Sequence, residues 1–229
     1  MTVSPMAAPT DRLLRVMPRE MRLMSERILS LSAMPKGFFS ALCDVVMYSQ
    51  GAGLGGFDRL LADIETVKAA DPAALMLRER VLDVGGQHAW IAVPSALDLL
   101  GEVDAPLTIL NATAEEELAV IAALGPRLGL QVTAHPVAGG LCLSATRAAP
   151  VDPLLDRLMQ DGAAIPEALW WRVWALAQTA LMPDSEVSRR HAGPVIVTPD
   201  GRLIGRTDND DDTDPGFIRG GRGTAEAKA

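Results

Sequence analysis

Two polar stretches near the C-terminal end carry the residue types that do chemistry. The first, "MPDSEVSRRHAG" at 182–193, offers a carboxylate at Glu186, hydroxyls at Ser185 and Ser188, and guanidinium groups at Arg189 and Arg190. A guanidinium presents a planar fork that fits a carboxylate or phosphate, so Arg189 is the anion-clamp candidate and Glu186 a candidate general base. The alternative for Arg189 is an internal salt bridge to Glu186 or to the aspartates downstream. The second stretch, "TDNDDDTDP" at 207–215, clusters Asp208, Asp210, Asp211, Asp212 and Asp214. Counted from Asp210 as an EF-hand loop, it has Pro215 where glycine is required and Gly221 where the bidentate glutamate is required, so that reading fails. A looser Mg²⁺ or Ca²⁺ site on Asp208 and Asp210, with Asp212 as a further ligand, stands against a solvated acidic turn. Apart from that cation the sequence predicts no cofactor.

Other motifs weigh toward structure. "GAGLGG", from Gly51 to Gly56, fits G-x-G-x-x-G letter by letter, but a helical pattern leads into it where a dinucleotide site needs a strand. It reads as a glycine-rich turn between helices. His88 and His135 read as structural histidines, while His191 keeps polar company. Cys43 and Cys142 lie far apart, with no second thiol or histidine at metal-ligand spacing, and read as reduced core residues. H-E-x-x-H, C-x-x-C, G-x-S-x-G and P-loop patterns are absent from the sequence.

The elements that must position these residues point to an α+β protein. Residues 1–10 read as a flexible N-terminus and 11–70 as a helical region. In it, Leu13, Leu14, Met17, Met21, Met24 and Ile28 fall near helical spacing with a restart at Pro18. Helices are also predicted from Pro35 into "GFFSALCDVVMYSQ" and over Phe57 to Lys68. A mixed α/β region follows over 71–150. There "RVLDVGGQHAWIAVP" reads as two short β-runs split by Gly85 and Gly86, and "PSALDLLGEV" as a helix with Ser95 near its cap. "PLTILN" and "LQVTAHPV" read as strands joined by a crossover helix, for which Thr113 and Glu116 have capping-box spacing. "LQVTAHPV" and "LCLSATRA" form a predicted hairpin about Gly139 and Gly140. Over 151–214 the pattern gives two helices, with Trp170, Trp171 and Trp174 as an anchoring face, and the hairpin "PVIVTPDGRLIGR". Residues 215–229 read as a disordered tail.

"P-x-S-E-x-S-R" at 183–189 followed by "TDND" at 207–210 resembles the closing signature of an uncharacterised bacterial family, common in alphaproteobacteria, with a P-x-S/T-E-x-S-R segment and a D-N-D end. "KGFFSALCDVVMYSQGAGLGGFDRLL" is similar in layout to that family's early helix. The family carries no assigned activity. Here the hairpin after Gly193 stands where the family has a short glycine loop. The resemblance implies a polar cluster of Ser185, Glu186, Ser188, Arg189, Asp208, Asn209 and Asp210 suited to a small charged metabolite.

Charge narrows the partners. A net charge of −8 with scattered basic residues argues against nucleic acid and anionic membranes. No apolar run reaches the roughly 20 residues needed to span a bilayer, and the start lacks the pattern of a signal peptide, so a cytoplasmic location is expected. Two functions fit. One is a small-molecule enzyme or ligand-binding protein using Glu186, Arg189 and Asp208. The other is a non-catalytic subunit or interaction module with a protein partner or a second copy.

Overall fold

The computed structural model describes residues 12–181 and, beyond them, the backbone of two short strands at 196–197 and 203–204. The chain divides into two units, Met1–Leu181 and Met182–Ala229. In the second, β8 (Ile196–Val197) and β9 (Leu203–Ile204) pair antiparallel, Ile196 opposite Ile204, as the Pro-Asp-Gly turn predicts. The expected flexible N-terminus at 1–10 and disordered tail at 215–229 lie outside the described residues.

The first unit has an α+β fold. It opens with a strand, β1 (Leu13–Val16), where helical spacing had suggested a helix. Pro18 explains the difference: a residue before proline is pushed out of the α region, and Met17 sits at φ −81°, ψ 158°. The four residues before it therefore stay extended and pair antiparallel with β7 (Ala163–Pro166). Proline suits the first turn of a helix, and α1 (Pro18–Leu29) starts there, burying Met21, Met24, Ile28 and Leu29.

Helix α2 (Lys36–Ala52) follows the predicted stripe, with Phe39, Leu42, Val45 and Val46 buried. It ends at Gly53, which adopts the left-handed conformation. The stretch 57–68 splits into α3 (Gly56–Ala62) and α4 (Ile64–Lys68) at Asp63.

A five-stranded sheet forms the other half, in the order β2-β3-β4-β6-β5. Its members are β2 (Met76–Arg78), β3 (Val81–Asp83), β4 (Leu107–Leu110), β5 (Leu130–Val137) and β6 (Gly140–Arg147). β3 and β4 are parallel, and β6 runs antiparallel to both β4 and β5. So β4 and β5 point the same way with β6 between them. One face carries the buried Leu82, Leu107, Ile109 and Leu143, and α5 (Val93–Glu102) and α6 (Val120–Leu124) pack on the sheet. The register puts Cys142 on the opposite face, where it is half-buried beside the exposed His135 rather than in the core.

Four further expectations change. "HAWIAVP" is a 3₁₀ turn (Ala89–Ala92) running into α5, not a strand, and its residues Ala89 to Val93 are wholly buried. A short run with no polar side shows no period by which helix and strand can be told apart. His88 caps that turn, its Nδ1 accepting the Trp90 amide at 3.2 Å, while α5 follows from Ala92 without a side-chain cap and holds Ser95, the expected cap, inside its first turn. The capping box does not form either. Ala114 turns left-handed at φ 52° and a 3₁₀ stretch (Glu115–Ala119) leads into α6, leaving Glu116 free to pair with Arg59. Finally, α7 (Pro153–Asp161), capped by Asp152, and α8 (Glu167–Gln178) stand as predicted. On α8, however, only Trp170 is packed away. Trp171 and Trp174 are 51% and 44% exposed and meet edge to face.

Candidate functional site

A buried carboxylate organises the centre of the first unit. Glu117 has no exposed surface, and its Oε2 accepts from Ser49 Oγ at 2.6 Å and from Trp90 Nε1 at 2.9 Å. Ser49 Oγ in turn accepts the Gly56 amide at 2.9 Å. Among the described residues Glu117 Oε1 has no hydrogen-bond partner, and it lies 3.9 Å from Arg59 Nε. Arg59 also contacts Asp63 at 3.4 Å and pairs with Glu116, so one guanidinium offsets three carboxylates.

This network accounts for the glycine-rich loop. A Cβ on Gly55 would sit 3.0 Å from Glu117 Oε1, and one on Gly56 would sit 2.5 Å from the Gln50 backbone. Both residues, with Gly53, have positive φ. The pattern that resembles a dinucleotide loop is the wrap by which α2 turns into α3 around a buried charge.

The same network is closed to substrate. Ser49, Trp90 and Glu117 are wholly buried, and the Ser49 hydroxyl is engaged as both donor and acceptor. His88 cannot serve as a base through Nδ1, which holds a backbone amide; its neutral ring therefore carries the proton on Nε2. That nitrogen lies 3.3 Å from Asp63 Oδ2, out of line for a hydrogen bond. Burial pushes the His88 pKa down, against the opposing pull of Asp63, so the ring is neutral in the folded protein. The centre holds structure and presents no nucleophile.

The open chemistry lies at the other end of the glycine loop. A cleft of about 410 Å³ is lined by Arg15 of β1, Gln50 to Gly53 at the end of α2, Arg157 and Asp161 of α7, and Gly162 to Ala164 leading through β7. Arg157 donates to the Gly51 carbonyl at 2.6 Å, which satisfies an end carbonyl of α2. Arg15 reaches the Asp161 carbonyl at 3.5 Å. A guanidinium has five N–H donors, so most of those on Arg15 and Arg157 are unused among the described residues. Gln50 is tied back by the Phe57 amide at 3.1 Å. The wall is therefore fixed on one side by the Glu117 network and on the other by the β1–β7 pairing.

Glu186, Arg189, Asp208 and Asp210, with Ser185, Ser188 and Asn209, lie outside the described residues. Among the described residues no group of His, Cys, Asp and Glu could hold a metal ion. Arg15 and Arg157 escape sequence reasoning because they belong to no local motif; strand pairing and helix packing alone bring them together. Glu117 did leave a signal, since it lies four residues before Ile121 and seven before Leu124, the spacing of the buried positions of α6 that follow it. Compared with family models, with curated proteins and with solved structures, the chain matches none.

Proposed function

We propose that the protein binds a small anionic metabolite in the cleft between α2, α7 and the β1–β7 pair, with Arg15 and Arg157 as the clamp. The observation that carries this reading is the pair of guanidinium groups lining one cleft of ligand size in a chain of net charge −8. Two forks with unused donors suit a dicarboxylate or a phosphate ester.

Thermal denaturation with inorganic phosphate, citrate and succinate tests it. A ligand that binds only the folded form raises the melting temperature with concentration. The rise is expected in the wild type and expected to shrink in Arg15→Gln. A flat response to all three anions overturns the reading. Arg189→Ala is the informative second variant: a response lost there and kept in Arg15→Gln would move the site to the Glu186, Arg189 and Asp208 cluster. That cluster, in a member of the resembling bacterial family and in the cytoplasm, would take the same class of ligand.

One observation favours the interaction module. Trp171 and Trp174 stand half-exposed on one helix, and exposed aromatic pairs are characteristic of protein interfaces. The methionines of α1 do not add to it, since Met21 and Met24 are buried. Sedimentation of the wild type against Trp174→Ser reads out a homo-oligomer on that face.

A further inference from the structure

A second cleft differs in character from the first. About 340 Å³ in volume, it opens between α2, α5 and the end of α6. Its floor is apolar: Val45, Val93, Leu97 and Leu124 are each under 8% exposed and belong to the core. Leu128 forms a lip and is 53% exposed. Charges of both signs stand at the mouth. Arg127 lies 3.2 Å from Asp44, which Arg22 also pairs, and Asp98 on α5 is exposed with no ion pair among the described residues.

An apolar pocket with a few convergent polar groups is the usual form of a small-molecule site, and this volume is near the lower end of that range. The mouth narrows the chemistry. A fatty acid could meet Arg127 but would set its carboxylate near Asp98, and an alkylamine could meet Asp98 but would face Arg127. A molecule with one ammonium, one carboxylate and an apolar chain answers both charges and covers the floor. We infer that this cleft is a binding site for a zwitterionic amphiphile of about the size of one apolar amino acid, with Asp98 taking the ammonium and Arg127 the carboxylate.

An NMR titration of the methyl-labelled full chain tests this independently of the arginine cleft. The probes are L-leucine and L-phenylalanine, with 4-methylpentanoate and isopentylamine as single-headed controls. The expected result is saturable shifts of the Val45, Leu97, Leu124 and Leu128 methyls with the amino acids. Each control should bind more weakly, by about two- to fivefold, as loss of one exposed charge contact dictates. Asp98→Asn, an exposed and unpaired site whose change leaves the fold intact, should weaken L-leucine to a similar degree and leave 4-methylpentanoate unweakened. The inference is overturned if none of the four probes moves these methyls, if 4-methylpentanoate or isopentylamine binds as tightly as L-leucine, or if Asp98→Asn binds L-leucine as the wild type does.

Discussion

Replacing Ser49 by alanine probes the buried centre with the smallest change of volume. The hydroxyl donates to a carboxylate whose one other donor among the described residues is the Trp90 indole, and accepts the Gly56 amide at the start of α3. Hydrogen bonds to charged groups contribute about 1.5–3 kcal/mol, and a buried amide left without an acceptor costs about 1–3 kcal/mol. Both penalties fall on the folded state, so the variant should lose about 2.5–6 kcal/mol, a large part of the stability of an ordinary domain. For a unit of this length, each kcal/mol corresponds to about 2–4 °C in melting temperature, which puts the expected fall at roughly 5–24 °C. Urea unfolding of wild type, Ser49→Ala, Glu117→Gln and the double variant measures it. In the glutamine background the lost bond is to a neutral group, so Ser49→Ala should cost less there by about 1 kcal/mol. A single-variant loss under about 1 kcal/mol, or strict additivity in the cycle, would refute the reasoning that Ser49 sustains a buried charge.

The remaining predictions address titration, packing and reactivity. His88 is held neutral by burial, while in the unfolded chain it titrates near 6.5; below that pH the unfolded state binds the proton first, so stability should fall as pH drops from 6.5. The groups facing it, Asp63, Arg59 and Glu116, are unchanged in His88→Gln, whose melting temperature should show a shallower decline between pH 6.5 and 5. Trp170 packs edge to face with Phe57 and is nearly buried, so Trp170→Ala should cost about 3–5 kcal/mol, against about 1 kcal/mol or less for Trp171→Ala; equal losses in denaturant melts would contradict the assigned faces. The Cys43 thiol, pushed up to about 12 by burial, should resist a thiol reagent in the folded protein, whereas the half-buried Cys142 should react; labelling followed by peptide mapping distinguishes them.

How much of this could be read from the amino acids depended on the length of each element and on whether its neighbours are near in sequence. α2 and the β5–β6 hairpin were legible because each runs long enough to show its period, and because Gly53 and the turn before Gly140 mark their ends. β1, β2 and β7 have three or four residues, too few for alternation to register, and two of them exist only because they meet each other across most of the chain. Local chemistry misled where a distant partner intervened: Glu116 had the spacing to cap its own helix, and Arg59 took it instead.

The triplet Glu115, Glu116 and Glu117 carries this furthest. As a charge run it reads as a solvated surface, yet the apolar period that buries Leu118, Ile121 and Leu124 carries Glu117 inward with them. A carboxylate in that position must find donors, and the nearest in space come from an α2 serine, an indole and an arginine far away in the sequence. Gly55 and Gly56, which let the backbone pass over it, are then required, and the same loop begins with Gly51 and Gly53, which line the arginine cleft. One inward-facing charge thus connects an apolar spacing readable in the sequence to a loop beside a cleft that no local motif could announce.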